Sequence, residues 1–383
     1  MTASADLDAE VGVIGVGSMG SMALWQTTAR GVSAIGFEQF RIGHELGAGA
    51  GEGRQFRDRF LEEDVRGIMA EARDEYRRLE ADSGRVLLTI AGSLTIGRPD
   101  SSLISELLAR MAAEGYRPRV MGRREMSERY PQHVLAEDEV AIWDPEAGFV
   151  RPELSVVAAS ASALRRGARV EEGVTVTAIE PRADSVVIRS ADRAWRVRRV
   201  VVTTGAWTWR LLGAAKPRGA DLGRLLLTWF PTRNDDLFTV ERHPVFTRVV
   251  APGVTMYGLP SQWAGTARVG LAGPRSRFGD PDELDRVFVP AGEVRTVVNF
   301  VSRCMPDLEP TVIRTGTYLD AYTPDGQPII GTVGDTGNVI VAAGFSGRGF
   351  KMAPVVGGIL ADLAIGQRSH LDIRRWSPDR FAP

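Results

Sequence analysis

The chain has 383 residues, 44% of them hydrophobic and 25% charged, which suits a soluble globular protein of about two or three domains and excludes wholesale disorder. Lys and Arg number 47 against 48 Asp and Glu, a net charge of -1 with no block of one sign, so nothing draws nucleic acid or an anionic bilayer to it. The acidic opening has no apolar core behind it, and no apolar run approaches the roughly 18 residues of a membrane span, so no membrane partner and a cytoplasmic location are expected.

The first apolar run, Val11 to Ile14, reads as a strand and ends in Gly15-Val16-Gly17-Ser18-Met19-Gly20. Ser21 to Arg30 reads as a helix, and Val32 to Phe37 as a second strand ending at Glu38. Glycines in such a turn bring backbone N–H groups against a pyrophosphate at the helix N-terminus, and an acid about 20 residues on accepts from ribose hydroxyls. A glycine-rich loop, 43–54, follows where a plain NAD dehydrogenase would continue with another βα unit. A long amphipathic helix is expected from Glu62 to Ala81, with Val65, Ile68, Met69, Ala72, Tyr76 and Leu79 on one stripe.

Leu87 to Ile96 and a helix near Leu103 to Ala113 belong to a different layer. The dinucleotide pattern returns with a helix at Glu153 to Arg166, a strand at Val174 to Ile179 and a buried strand at Val200 to Thr204 running into the Gly205-Ala206-Trp207 turn. Leu225 to Gly273 contains several strand-like runs separated by Pro and Gly, as in an antiparallel sheet. Val339 to Gly344 is a buried strand, Phe345 to Phe350 a loop and Ala353 to Ala364 a closing helix. The expected class is α/β: a Rossmann-like dinucleotide domain (1–86, 147–217 and 321–383) with an inserted, mostly antiparallel β-sheet substrate domain (87–146 and 218–320).

The lone Cys304 excludes an intrachain disulfide and any multi-thiolate site, and His44, His133, His243 and His370 lack ligand spacing, so no metal is expected. Only Lys216 and Lys351 of the 47 cations are lysine, which singles out a lysine placed in a glycine-rich loop.

With Gly15 to Gly20 and Glu38, the Thr204-Gly205-Ala206-Trp207 turn, Thr323-Pro324-Asp325-Gly326, and Ala343-Gly344-Phe345-Ser346-Gly347-Arg348-Gly349-Phe350-Lys351, the chain resembles the flavin-dependent amine oxidases of the monomeric sarcosine oxidase and N-methyltryptophan oxidase family, within the D-amino-acid-oxidase-like fold. The resemblance spans essentially the whole chain. It implies FAD held by Gly15, Gly17, Ser18, Met19, Gly20, Glu38, Arg54, Val176, Thr204, Gly205, Trp207, Gly344, Gly347, Arg348, Gly349, Phe350 and Lys351. It implies Arg57 and Lys351 as a clamp for a substrate carboxylate, a bidentate guanidinium beside a compact ammonium.

Several positions depart from the family. Tyr318, six residues before Pro324, stands where covalent members carry the flavin-linked cysteine, and Gly49 and Ala50 replace a supporting histidine pair, so the FAD is expected to be non-covalent. In the roof, Tyr257 keeps its tyrosine, whereas Arg268 replaces the lysine of oxygen activation, Ala272 a histidine and Asp320 a tyrosine. Asp320 is expected either to meet a second amino group on the substrate or to pair with Arg268 or Arg57. The implied reaction is hydride transfer from an amine carrying a carboxylate to FAD, hydrolysis of the imine, and reoxidation by O2 giving H2O2. A dehydrogenase using another acceptor and a flavin-binding subunit of a larger complex are the alternatives.

Overall fold

The first strand, Ala9–Ile14, lies between Ala34–Glu38 and the carboxyl half of Ala194–Val202, all three parallel, with Val13 opposite Gly36 on one side and Val201 on the other. Arg169–Glu172 extends this sheet beyond Ala34–Glu38, and Val339–Ala343 extends it beyond Ala194–Val202, again in parallel. Strands of this kind are covered on both faces, which is why they read as continuous apolar runs. The computed structural model describes residues 7–57, 63–213, 216–260 and 262–381, the side chains of 63, 64 and 66 excepted.

The helix Ser18–Ala29 packs against Pro152–Arg165 and Ala353–Ala364, and Gly357 permits the last approach: a Cβ there would stand 2.5 Å from that of Met22. Ile35, Phe37, Val186, Ile188 and Trp195 form a second apolar cluster in the same sheet. The expected strand Val174 to Ile179 does not form. Val174 donates to the Glu38 carbonyl at 2.9 Å, which closes the parallel pairing, and 174–177 then run without regular structure before the antiparallel strand Ala178–Pro181. Val174, Thr175 and Val176 line a cavity instead of a ladder.

A nine-stranded sheet takes strands from 93–144 and from 221–322 and is antiparallel except where Val245–Ala251 runs parallel to Ser93–Gly97. Period-2 alternation gives it two faces. Met256 and Val269 join the apolar cluster beneath the helix Ala291–Cys304, while their neighbours Tyr257 and Arg268 line the cavity. A three-stranded sheet of Arg54–Phe56, Gly148–Val150 and Leu88–Ile90 lies beside these two. The α/β class with a second, mostly antiparallel sheet agrees with the sequence reading. Among the described residues no helix is long and apolar enough to cross a membrane.

Candidate active site

A cavity of about 490 Å³ opens at the carboxyl ends of the parallel strands and is roofed by the nine-stranded sheet. The glycine turn forms one wall, and its glycines answer different demands. Gly15 has φ +85°, and a Cβ on Gly20 would stand 1.9 Å from the Gly15 carbonyl oxygen, so both are required by the turn itself. A Cβ on Gly17 would meet nothing within 4 Å, because that position faces open space in the cavity. The turn is thus shaped for close approach of a ligand at Gly17 and for helix packing at Gly20.

Glu38 is buried at the end of its strand, where Val16 N–H donates to Oε2 at 2.9 Å and Phe40 N–H to Oε1 at 3.1 Å. Burial pushes its carboxyl up, against these amide donors. His44 Nε2 lies 3.5 Å from Glu38 Oε1, and burial with the nearby Arg286 and Arg41 lowers its imidazole to about 4, so it is neutral at pH 7. Val176, Thr204, Gly205 and Trp207 continue the wall.

The loop 47–54 crosses the cavity and is tied from both sides. Glu153 Oε1 accepts from the amides of Gly51 at 2.6 Å and Glu52 at 3.1 Å. Arg54 donates to the carbonyls of Gly53 at 2.9 Å and Ala48 at 2.7 Å. Arg268, only 2% exposed, donates through Nη1 to the carbonyls of Gly51 and, at 2.7 Å, Gly53. Burial and the Arg54 charge bring its guanidinium down to about 10. Its Nε is buried and has no hydrogen-bond partner among the described residues.

On the far side lies the loop after Val339–Ala343. Gly344 has φ +65° and sits against the Thr323 methyl, where a Cβ would come within 2.5 Å. Thr323 Oγ1 donates to the Gln327 carbonyl at 2.7 Å, so the Thr-Pro-Asp-Gly turn acts as the seat of this loop. Phe350 and Lys351 begin a single-turn 3-10 helix before Ala353–Ala364, and buried Tyr76 donates to the Phe350 carbonyl at 2.7 Å.

Residues 10–363 match the family described as FAD dependent oxidoreductase. The chain belongs to this family. It is 33% identical to the monomeric sarcosine oxidase of Streptomyces avermitilis over 97% of its own length and 98% of that protein, and 26% identical to the N-methyl-L-tryptophan oxidase of Yersinia pestis over 98% and 100%. Its fold is that of the solved structure of NikD, an amino acid oxidase of nikkomycin biosynthesis, with a TM-score of 0.88 at 24% identity, covering 97% of this chain and 98% of the other. The cofactor of this oxidoreductase is FAD, and the wall described above fits it: open space at Gly17, the start of the helix Ser18–Ala29 with amides that lack intrahelical partners, and Glu38 at the end of the second strand.

All the residues read from sequence as FAD-binding line the cavity except Gly20, whose place is behind the turn. Lys351, Tyr257, Arg268 and Asp320 line it as well, whereas Arg57, half-buried just past the strand Arg54–Phe56, does not. Tyr257 lies flat across the neighbouring strand at Gly270, where a Cβ would come within 2.7 Å of the phenol oxygen. Asp320 corrects one expectation: among the described residues it forms no ion pair with Arg268 or Arg57. Instead Gly347 N–H donates to its Oδ2 at 2.7 Å and Ala321 N–H to its Oδ1 at 2.9 Å. Burial raises its carboxyl, countered by these amides and by the charges of Arg54 and Arg275.

The Tyr318 ring is buried against Gly51, with the Arg54 guanidinium 5.9 Å from its centroid. Cys304 ends a helix in the apolar cluster on the opposite face of the roof, its thiol pushed up by burial. Sequence reasoning did not reach Glu153, Gln55 or Thr247. Gln55 lines the cavity, donates to the Phe246 carbonyl at 2.6 Å and accepts from Thr247 Oγ1 at 3.2 Å. The only local sign of Glu153 is an acid in a helix's first turn; its partners lie 102 and 101 residues away.

Proposed function

We propose that this flavoenzyme oxidises the C–N bond of a small amino acid or secondary amine carrying a carboxylate, with FAD bound non-covalently, in the cytoplasm. The observation that carries the reading is the single cavity in which the dinucleotide turn, Lys351 and the roof residues Tyr257, Arg268 and Asp320 meet. The names of the sarcosine and N-methyl-L-tryptophan oxidases support the substrate class. Bound FAD supplies the two-electron acceptor for a hydride from the carbon next to nitrogen. The chain supplies position and charge. Lys351, on the cavity wall, holds the carboxylate. Asp320 accepts from the substrate nitrogen and takes its proton, leaving the free amine whose lone pair assists hydride departure. Tyr257 closes the roof over the reacting carbon, and water hydrolyses the released imine. Residues 1–86, 147–217 and 321–383 form the FAD-binding part in this reading, and 87–146 with 218–320 the substrate part.

Electrons then pass to O2, giving H2O2. A non-oxygen acceptor is the second reading, favoured by Arg268, whose guanidinium is committed to two loop carbonyls. Anaerobic addition of amino and N-methylamino acids should bleach the flavin spectrum, and Lys351→Ala should weaken carboxylate ligands by roughly 2 to 5 kcal/mol by removing one partner of a desolvated charge pair. A spectrum untouched by every carboxylate-bearing amine would refute the reading. Acid precipitation should leave a colourless pellet and a yellow supernatant, since Tyr318 offers no thiol for attachment.

A further inference from the structure

A second cavity, of about 470 Å³, adjoins the first, and Tyr322 and Arg348 line both. Its chemistry differs. Arg275, Arg277 and Arg348 bring three guanidinium groups to it against one lining carboxylate, Asp221. Arg275 Nη2 donates to Asp221 Oδ1 at 2.9 Å and Arg277 Nε lies 3.1 Å from Oδ2, so that carboxylate is shared. Among the described residues Arg348 has no ion-pair partner, and Arg275 Nε is buried without an acceptor. Asp325, between the lining residues Pro324 and Gly326, is paired with Arg380 at 2.8 Å, and the Asp320 oxygens accept from Gly347 and Ala321.

Arg275 lies flat over the Tyr322 ring, 3.6 Å from its centroid, which holds the guanidinium at the passage between the two cavities. Burial and Asp320 push the Tyr322 phenol up to about 12, so it is a neutral donor at working pH. Surplus guanidinium forks beside a phenol suit a planar oxyanion.

We propose that this cavity is a subsite for a second anionic group, so that the preferred substrate is an amino acid or secondary amine bearing two carboxylates. The inner carboxylate goes to Lys351 and the outer one crosses Tyr322 to Arg275 and Arg348. Asp221 keeps Arg275 and Arg277 in place. This inference rests on the amine-oxidase reading and adds the outer half of the substrate.

The test is titration of oxidised holoenzyme with glutarate and with butyrate, read from the flavin absorbance. Wild type should bind the dicarboxylate about tenfold tighter or more, the worth of one charge-assisted hydrogen-bonded contact. Arg275→Met should bring the preference to within about twofold without weakening butyrate, and Arg275→Lys should keep part of it. Lys351→Ala should weaken both ligands. Equal affinity for the two acids in wild type, or a preference that survives Arg275→Met, overturns the subsite. If amino monocarboxylates still bleach the flavin, the oxidase reading stands in that case; if no amine bleaches it and neither acid perturbs it, both fall.

Discussion

The guanidinium of Arg268 reaches from the roof to the Gly53 carbonyl, 2.7 Å away, and to that of Gly51, so this roof cation braces the loop that crosses the cavity. Arg268→Met leaves the Gly51 carbonyl without its guanidinium donor and should destabilise the protein by about 1 to 3 kcal/mol. Urea unfolding measures this. In stopped-flow mixing with oxygenated buffer, Arg268→Lys should reoxidise faster than wild type and Arg268→Met slower, because a compact ammonium concentrates charge that the guanidinium spreads. One common rate for all three forms would show that this cation takes no part in the oxygen step.

The two glycines of the turn should separate folding from cofactor binding. Gly17→Ala adds a methyl to open space and should leave apoprotein stability unchanged while weakening FAD by about 1 to 3 kcal/mol, the usual cost of overpacking. Gly20→Ala drives a methyl into the Gly15 carbonyl and should lower both. Thermal unfolding with and without added FAD distinguishes them; equal FAD affinity in Gly17→Ala and wild type would put the cofactor elsewhere.

Asp320 binds its proton more tightly in the folded protein than in the unfolded chain, because burial raises its carboxyl. Its contribution to stability is therefore present at low pH and is lost as pH rises through the folded ionisation. Asp320→Asn keeps an acceptor for Gly347 and should gain stability relative to wild type as pH rises above the ordinary carboxylate range, through the raised ionisation of Asp320. The same variant should slow anaerobic flavin reduction near neutrality and recover as pH rises toward the free amine's own pKa. Superimposable pH profiles would remove Asp320 from the proton transfer.

His133 and His243 stack at 5.6 Å between ring centroids inside the roof, both buried, and among the described residues both nitrogens of His133 and Nε2 of His243 lack hydrogen-bond partners. Burial lowers His243 to about 3 and His133 well below its ordinary value. The unfolded chain takes up protons at these sites first, so stability present above about pH 6.5 should fall as pH drops from there toward 3. His243→Leu should flatten this loss. Urea midpoints at several pH values test it, and an unchanged slope in the variant would rule the pair out as the acid-sensitive element.

The βαβ unit of 9–38 is legible in sequence because strand, glycine turn, helix and acid are neighbours along the chain. The closing helix Ala353–Ala364 has the expected bounds, and the long helix, Glu63–Ser83, lies within two residues of expectation at either end. The stretch at 174–179 misleads because β-branched residues serve a cavity wall as well as a ladder. The partners of Asp320 and Arg268 are invisible for another reason. Both side chains bind backbone amides or carbonyls, which every residue carries, at separations of 27 residues for Asp320 and Gly347 and 215 for Arg268 and Gly53. Residue type marks a group with chemistry to offer, but only the folded loop decides which backbone group receives it.

On the edge away from Ala9–Ile14, the strand Ala194–Val202 serves two neighbours, its amino half an antiparallel partner at Val186–Arg189 and its carboxyl half the parallel Val339–Ala343. The second neighbour and the loop carrying Lys351 are made after the glycine turn and Glu38, so the two walls of the flavin site arise far apart along the chain. Until Val339–Ala343 has been made, Val200 to Val202 present an open sheet edge to other chains.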